Sequence, residues 1–249
     1  MPRWGRRLFE GDLDMMIAIS MIEDICDHDE ANWMIADLIK CAPPEIREFY
    51  TQEHGLTPPK SDKRVQLRRK LDAGLGSDWF QEYYVRENCG CSIHATESKY
   101  KVVMVCALMM RVGAKIKPDN LRHLYELVPQ IRCGDTFVPS GDYAFRGPGK
   151  AQFLAALASY RPGIPHDFHE PSCHACGQTN KDGKDLKKCG GCQNERAAAY
   201  FCDRDCQKSH WKVHKRGNCG PSDILRIGIF RVREKNRGPE YSIISEAQV

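Results

Sequence analysis

The chain has 249 residues, of which 41% are hydrophobic and 28% charged, a balance that suits one large or two smaller globular domains. Its longest apolar run, Val102 to Met110, is nine residues, against the roughly 20 that a membrane-spanning helix needs. Thirteen cysteines occur without a recognisable secretory signal, so a reduced cytoplasmic or nuclear setting is expected, with thiols serving metals rather than disulfides.

In chain order, residues 1–11 combine Arg3, Arg6 and Arg7 with Trp4 and read as a flexible arm. From Asp12 the period is helical: Leu13, Ile17, Met21 and Ile25 stand four apart, and Met16, Ile19 and Ile22 widen the stripe. Trp33, Ile35, Leu38 and Ile39 predict a second helix that Pro43-Pro44 ends. After a loop with Gly55, Pro58 and Pro59, Ser61 is placed to cap a basic helix from Lys63 to Leu71. Its Arg64, Arg68, Arg69 and Lys70 read as a solvated face, or else as a localisation or acidic-partner patch. Ser77 is placed to cap the next helix, with Trp79, Phe80, Tyr83 and Tyr84 on its apolar side.

Ser98 to Val112 predicts the most buried helix of the N-terminal half. Pro118 then opens a helix with Leu121, Leu124, Tyr125 and Val128 on one stripe and His123 off it, exposed. A looped stretch through Pro139 and Gly141 leads to a small-residue helix, Ala151 to Tyr160, and residues 161–172 read as a linker.

Three motifs fail chemical tests. Gly147-Pro-Gly-Lys150 lacks the earlier glycine of a phosphate loop, where Ala144 stands, and has Ala151 in place of the magnesium-binding hydroxyl. His166, His169 and Glu170 have the wrong order for a metalloprotease helix and are flanked by prolines. Cys89-Gly-Cys91 with His94 has one residue between its cysteines and no fourth ligand nearby.

The cysteine-rich stretch is different. Cys173-His-Ala-Cys176, Cys189-Gly-Gly-Cys192, Cys202-Asp-Arg-Asp-Cys206 and His214 with Cys219 make four donor pairs, enough for two tetrahedral zinc ions. Its sizeable apolar side chains are few, namely Leu186, Tyr200, Phe201, Trp211 and Val213, so burial alone cannot order the segment and metal binding must be part of its folding. Spacing leaves the pairing open: Cys173, Cys176, Cys189 and Cys192 could share one ion. His210, four residues after Cys206, competes with His214 as a ligand, but is expected on the helix surface beside Trp211. Seven metal-bound thiolates and two Zn²⁺ bring the chain's formal +4 to about +1, which removes any general drive toward phosphate backbones.

The run Tyr200-Phe201-Cys202-Asp-Arg-Asp-Cys206-Gln207-Lys-Ser-His-Trp211-Lys-Val-His214, preceded by two Cys-x2-Cys knuckles, resembles a MYND-type zinc finger over residues 173–219. The resemblance implies two interleaved structural zinc sites, Cys173, Cys176, Cys202 and Cys206 on one ion and Cys189, Cys192, His214 and Cys219 on the other. It also implies a peptide groove bordered by Gln207 and Trp211 that takes an extended proline-containing segment of a partner protein, in a setting such as transcriptional regulation. The gaps of twelve and nine residues between pairs are long for the family, and four residues rather than three separate His214 from Cys219.

The expected fold is therefore mainly α: an irregular helical domain at 12–160 and a small treble-pair zinc module with a short helix, followed by a tail, 220–249, with short strands around Ile224 to Val232. The expected function is a non-enzymatic, zinc-dependent adaptor that binds proteins and neither membranes nor nucleic acid. Two alternatives remain. One is nucleic-acid binding through Arg204, Lys208, Lys212, Lys215 and Arg216, which are offset by Asp203 and Asp205. The other is a lysine methyltransferase that joins a SET domain to the same finger, although the chain carries no Asn-His-Ser-Cys-like or Gly-Glu-Glu-like stretch.

Overall fold

The computed structural model describes residues 4–40, 42–58, 61–87, 95–134, 145–192, 198–217 and 219. The helices in order are α1 (Asp12–Ile25), α2 (His28–Ile39), α3 (Pro44–Glu53), α4 (Arg64–Lys70), α5 (Gly76–Glu87), α6 (Ala95–Val112), α7 (Pro118–Leu127) and α8 (Gly147–Ser159). The cysteine-rich segment adds β1 (Lys187–Lys188), β2 (Tyr200–Phe201) and α9 (Arg204–Gly217). The fold is mainly α, and β1 and β2 form an antiparallel pair with Lys187 opposite Phe201. The strands expected in the tail, and Cys89, Cys91 and His94, lie outside the described residues, as do Pro139, Gly141 and Ala144.

The core is built on α6. Every residue from Val102 to Met110 is at most 1% exposed, because an uninterrupted apolar run makes a helix that is apolar all round and must be covered on all sides. Helices α1, α4 and α5 pack against it. The helix begins at Ala95, three residues before the predicted Ser98. Between α4 and α5 the chain turns through a π-helical stretch, Leu71–Leu75, where Gly74 has φ 138°, a value that a side chain would resist. Ser77 thus lies inside α5 and does not cap it.

Residues 4–11 are not a loose arm. Trp4, Leu8 and Phe9 are buried in the main core, and Phe9 takes a left-handed φ of 64°. Periodicity missed them because an irregular strap has no repeat. The Phe9 N–H and the Tyr100 hydroxyl both donate to the buried Asp14 carboxylate, at 3.1 and 2.8 Å, which joins the strap to α1 and α6. Arg7 pairs with Glu10 and donates to the Glu170 carbonyl at 2.7 Å, which fastens the strap to the segment before the first cysteine pair.

That segment, predicted as a linker, places Phe168 in the same core, edge-on to Phe9 with ring centroids 5.7 Å apart. Gln152 of α8 accepts from the Leu8 N–H at 3.2 Å and donates to the Phe168 carbonyl at 2.8 Å. Gly177, with φ 77°, lies so close to α8 that a Cβ there would come 2.0 Å from the Ala151 carbonyl oxygen. The cysteine-rich segment is therefore seated directly on α8.

Other expectations shift for local reasons. Pro44 opens α3 at its first turn rather than only ending α2, since a missing N–H costs nothing there. At α4, Asp62 rather than Ser61 accepts from the Arg64 N–H, at 2.8 Å. The basic residues of α4 are not simply solvated: Lys70 pairs with Asp27 and the buried Glu30 of the α2 capping box, Arg68 donates to the Gly163 carbonyl, and Arg64 stands 5.6 Å over the Trp33 ring. Met16 and Tyr125 point outward, each 49% exposed, whereas His123 packs edge-on to Tyr84 at 4.7 Å. Gly147 to Lys150 form the first turn of α8.

Asp14→Ala leaves two buried donors without their acceptor, and the expected loss of unfolding free energy is about 3 kcal/mol. Urea denaturation measures it, and a change under about 0.5 kcal/mol would show that Asp14 is not the tie between strap and core.

Candidate metal centre

Each knuckle is fixed by backbone pairing before any metal is considered. The Cys173 N–H bonds the Gln178 carbonyl and the Gly177 N–H bonds the Cys173 carbonyl, both at 2.8 Å, which closes the first turn. The His174 N–H bonds the Tyr200 carbonyl and the Cys189 N–H bonds the Ala199 carbonyl, again at 2.8 Å, so both knuckles hang on the β2 segment. Asp203 caps α9, accepting from the Cys206 N–H at 2.7 Å, and that bond holds its carboxyl below the ordinary range.

Two donor clusters result. Cys173, Cys176, Cys202 and Cys206 have sulfurs all within 4.8 Å of one another, with Cys176 to Cys202 at 3.7 Å and Cys202 to Cys206 at 3.4 Å. Cys189, Cys192 and His214 form the second, with His214 Nε2 3.3 Å from the Cys189 sulfur and 3.5 Å from that of Cys192. Cys219 lies at its margin, its sulfur 3.9 Å from that of Cys189. Tetrahedral Zn–S bonds of about 2.3 Å set sulfurs about 3.8 Å apart, and a nitrogen and a sulfur about 3.5 Å apart, so these separations fit two zinc ions.

The electrostatics agree. Burial above all pushes the Cys202 thiol up to about 12 and the Cys219 thiol up to about 11, and a cation among the sulfurs would favour their deprotonated forms. Burial also holds His214 below its ordinary value, in the neutral form that ligates metal.

The geometry groups the first pair with the third and brings His214, not His210, to the second pair. His210 is half-buried rather than on the open helix surface: its ring stands 6.2 Å from Phe201 and 6.3 Å from His174, against Gly147 of α8. Trp211 is 38% exposed, with its ring 5.8 Å from that of His214. Gln207, one turn earlier, points its amide nitrogen at the Cys189 sulfur, 3.8 Å away. One residue was overlooked in the sequence: His174, 5% exposed, in which burial and then the charge of Arg7 hold the imidazole neutral. Only its place between two ligating cysteines could have signalled it.

Two equivalents of zinc are expected in protein purified without chelator, with Cys173→Ser and Cys202→Ser each releasing the same single ion. Cadmium-substituted NMR distinguishes the ions, and loss from the Cys189 and Cys192 site in the Cys173 variant would overturn the grouping.

Comparison with known proteins agrees with this geometry. Residues 173–217 match the MYND finger family model. The chain is 32% identical over 80 residues to the histone-lysine N-methyltransferase ASHR1 of Arabidopsis thaliana, covering 27% of this chain and 15% of that protein. It is 28% identical over 136 residues to the N-lysine methyltransferase SMYD2 of Gallus gallus, covering 46% and 28%, and 33% identical over 89 residues to SMYD2-B of Xenopus laevis, covering 31% and 19%. The matches thus span less than a third of the length of each of these relatives. No solved structure matches the chain. With both donor clusters in place and the family model matching the residues that supply them, the segment from Cys173 to Gly217 is a MYND finger whose cysteines and histidine fit two zinc ions.

Proposed function

We propose that this chain is a zinc-dependent adaptor whose finger binds an extended, proline-containing segment of a partner protein, with no catalytic role for either metal. The observation that carries this reading is the pairing of Gln207 with the exposed ring of Trp211 on one side of α9. An aromatic face gives contact area at low entropy cost, an amide can pair with a peptide backbone, and a preorganised extended ligand loses little entropy on docking. Cys173, Cys176, Cys202 and Cys206 would hold one ion, and Cys189, Cys192, His214 and Cys219 the other. Four protein donors leave zinc no position for water or substrate, the mark of a structural site. A cytoplasmic or nuclear location fits thiolate ligation.

The names of the relatives favour one competing reading, a lysine methyltransferase, and the match to the Gallus protein is longer than the finger. Saturable binding of S-adenosylmethionine to the intact chain would support that reading, and the expected result is none.

Trp211→Ala is expected to keep both zinc ions and to bind members of a library of extended proline-containing peptides at least tenfold more weakly, about 1.4 kcal/mol. Metal analysis and calorimetry read the two effects. Loss of zinc in this variant would make Trp211 a packing residue, and unchanged peptide affinity would move the recognition surface elsewhere.

A further inference from the structure

A cleft of about 380 Å³ opens where the N-terminal strap, the α2–α3 junction and the finger meet, beside the first donor cluster but with none of its cysteines in the lining. Trp4, Gly5, Arg6 and Arg7 form one wall, Lys40, Pro43, Pro44 and Arg47 another, and His174 and Tyr200 of the finger a third. Its charge is one-sided. Among the described residues Glu10 is the only carboxylate in the lining, and it is already taken by Arg7 and by the Arg7 N–H. Lys40 pairs with Asp37, a carboxylate outside the lining that Arg111 also claims. Arg47 donates to the Lys40 carbonyl at 3.2 Å, which leaves most of its fork of donors for a ligand.

Two further features bear on the cleft. The ten-residue helix α3 begins at it with Pro43 and Pro44 and has no side-chain cap, so the positive end of its dipole lies at this wall, although the two prolines bring no N–H and Glu45 of the first turn offsets part of it. Independently, His174 is 5% exposed, and its Nδ1 has no hydrogen-bond partner among the described residues. A buried polar atom in that state is costly unless something completes it.

We propose that this cleft is an anion site that takes a phosphate monoester, between the guanidinium of Arg47 and the Lys40 ammonium at the start of α3. A dianion matches the local excess of positive charge, and a guanidinium fork suits phosphate oxygens. The site is independent of the Gln207 and Trp211 side of α9, neither of which lines it.

The test uses the full zinc-loaded chain, amide-labelled for NMR and titrated with inorganic phosphate and with a phosphoserine peptide beside its unphosphorylated form. The expected result is saturable shifts at Gly5, Arg47 and His174 with phosphate, at least tenfold weaker binding in Arg47→Ala, and unchanged binding in both Trp211→Ala and Lys212→Ala. If the phosphopeptide binds more tightly than phosphate, the natural ligand is peptide-borne; equal affinities indicate a free small anion, and either outcome supports the site. Shifts that do not saturate, or equal weakening in Arg47→Ala and Lys212→Ala, would show general charge screening and overturn it. Because Trp211→Ala is in the series, failure of the peptide-groove reading and failure of this one are separable.

Discussion

Donor atoms around a zinc ion must stand about 3.5–3.8 Å apart, and this one distance organises the C-terminal part of the molecule. The four sulfurs of the first cluster can meet so closely only if a tight turn and a helix start converge, and the β2 segment supplies the convergence by bonding the first knuckle through Tyr200, as it bonds the second through Ala199. Helix α9 then serves both clusters. Cys206 and His214 are eight residues apart, about 12 Å along the axis, so one rigid helix spaces the two sites.

The finger in turn is held to the helices by contacts that owe nothing to metal. Gly177 meets the Ala151 carbonyl so closely that no side chain would fit, and Gln152 links the strap to Phe168 just ahead of the first cysteine. Arg7 fastens the same strap to the Glu170 carbonyl. A module seated by backbone contact and buried hydrogen bonds does not swing on a tether, so the surfaces it shares with the helices, including the cleft beside His174, have a defined shape.

The ligand pairs were legible because metal chemistry demands fixed spacing, and α6 was legible because nine consecutive apolar residues allow few alternatives. The strap was not, since Trp4, Leu8 and Phe9 follow no period and the arginines beside them suggest solvent until Glu10 and two backbone carbonyls are seen to absorb Arg7. Helix α3 was hidden by reading Pro43-Pro44 only as a stop, although proline suits a first turn equally well. The four basic residues of α4 looked solvated because sequence alone does not show that Lys70 lies opposite Asp27 and Glu30.

The helical period also explains why His210 of α9 lies outside both donor clusters. Cys206, His210 and His214 follow at intervals of four and share one face, yet the two clusters lie at the ends of that face. His210 falls between them, one turn from each, and its ring meets Phe201, His174 and α8 instead. The neighbouring face begins with Gln207, whose amide touches the Cys189 sulfur, and continues to Trp211, whose ring leans on His214. A group that hydrogen-bonds a ligand sulfur, and a ring beside a ligand imidazole, tune a metal site. The second cluster and this face of α9 are thus one physical unit, in which order in the metal shell sets the placement of Gln207 and Trp211.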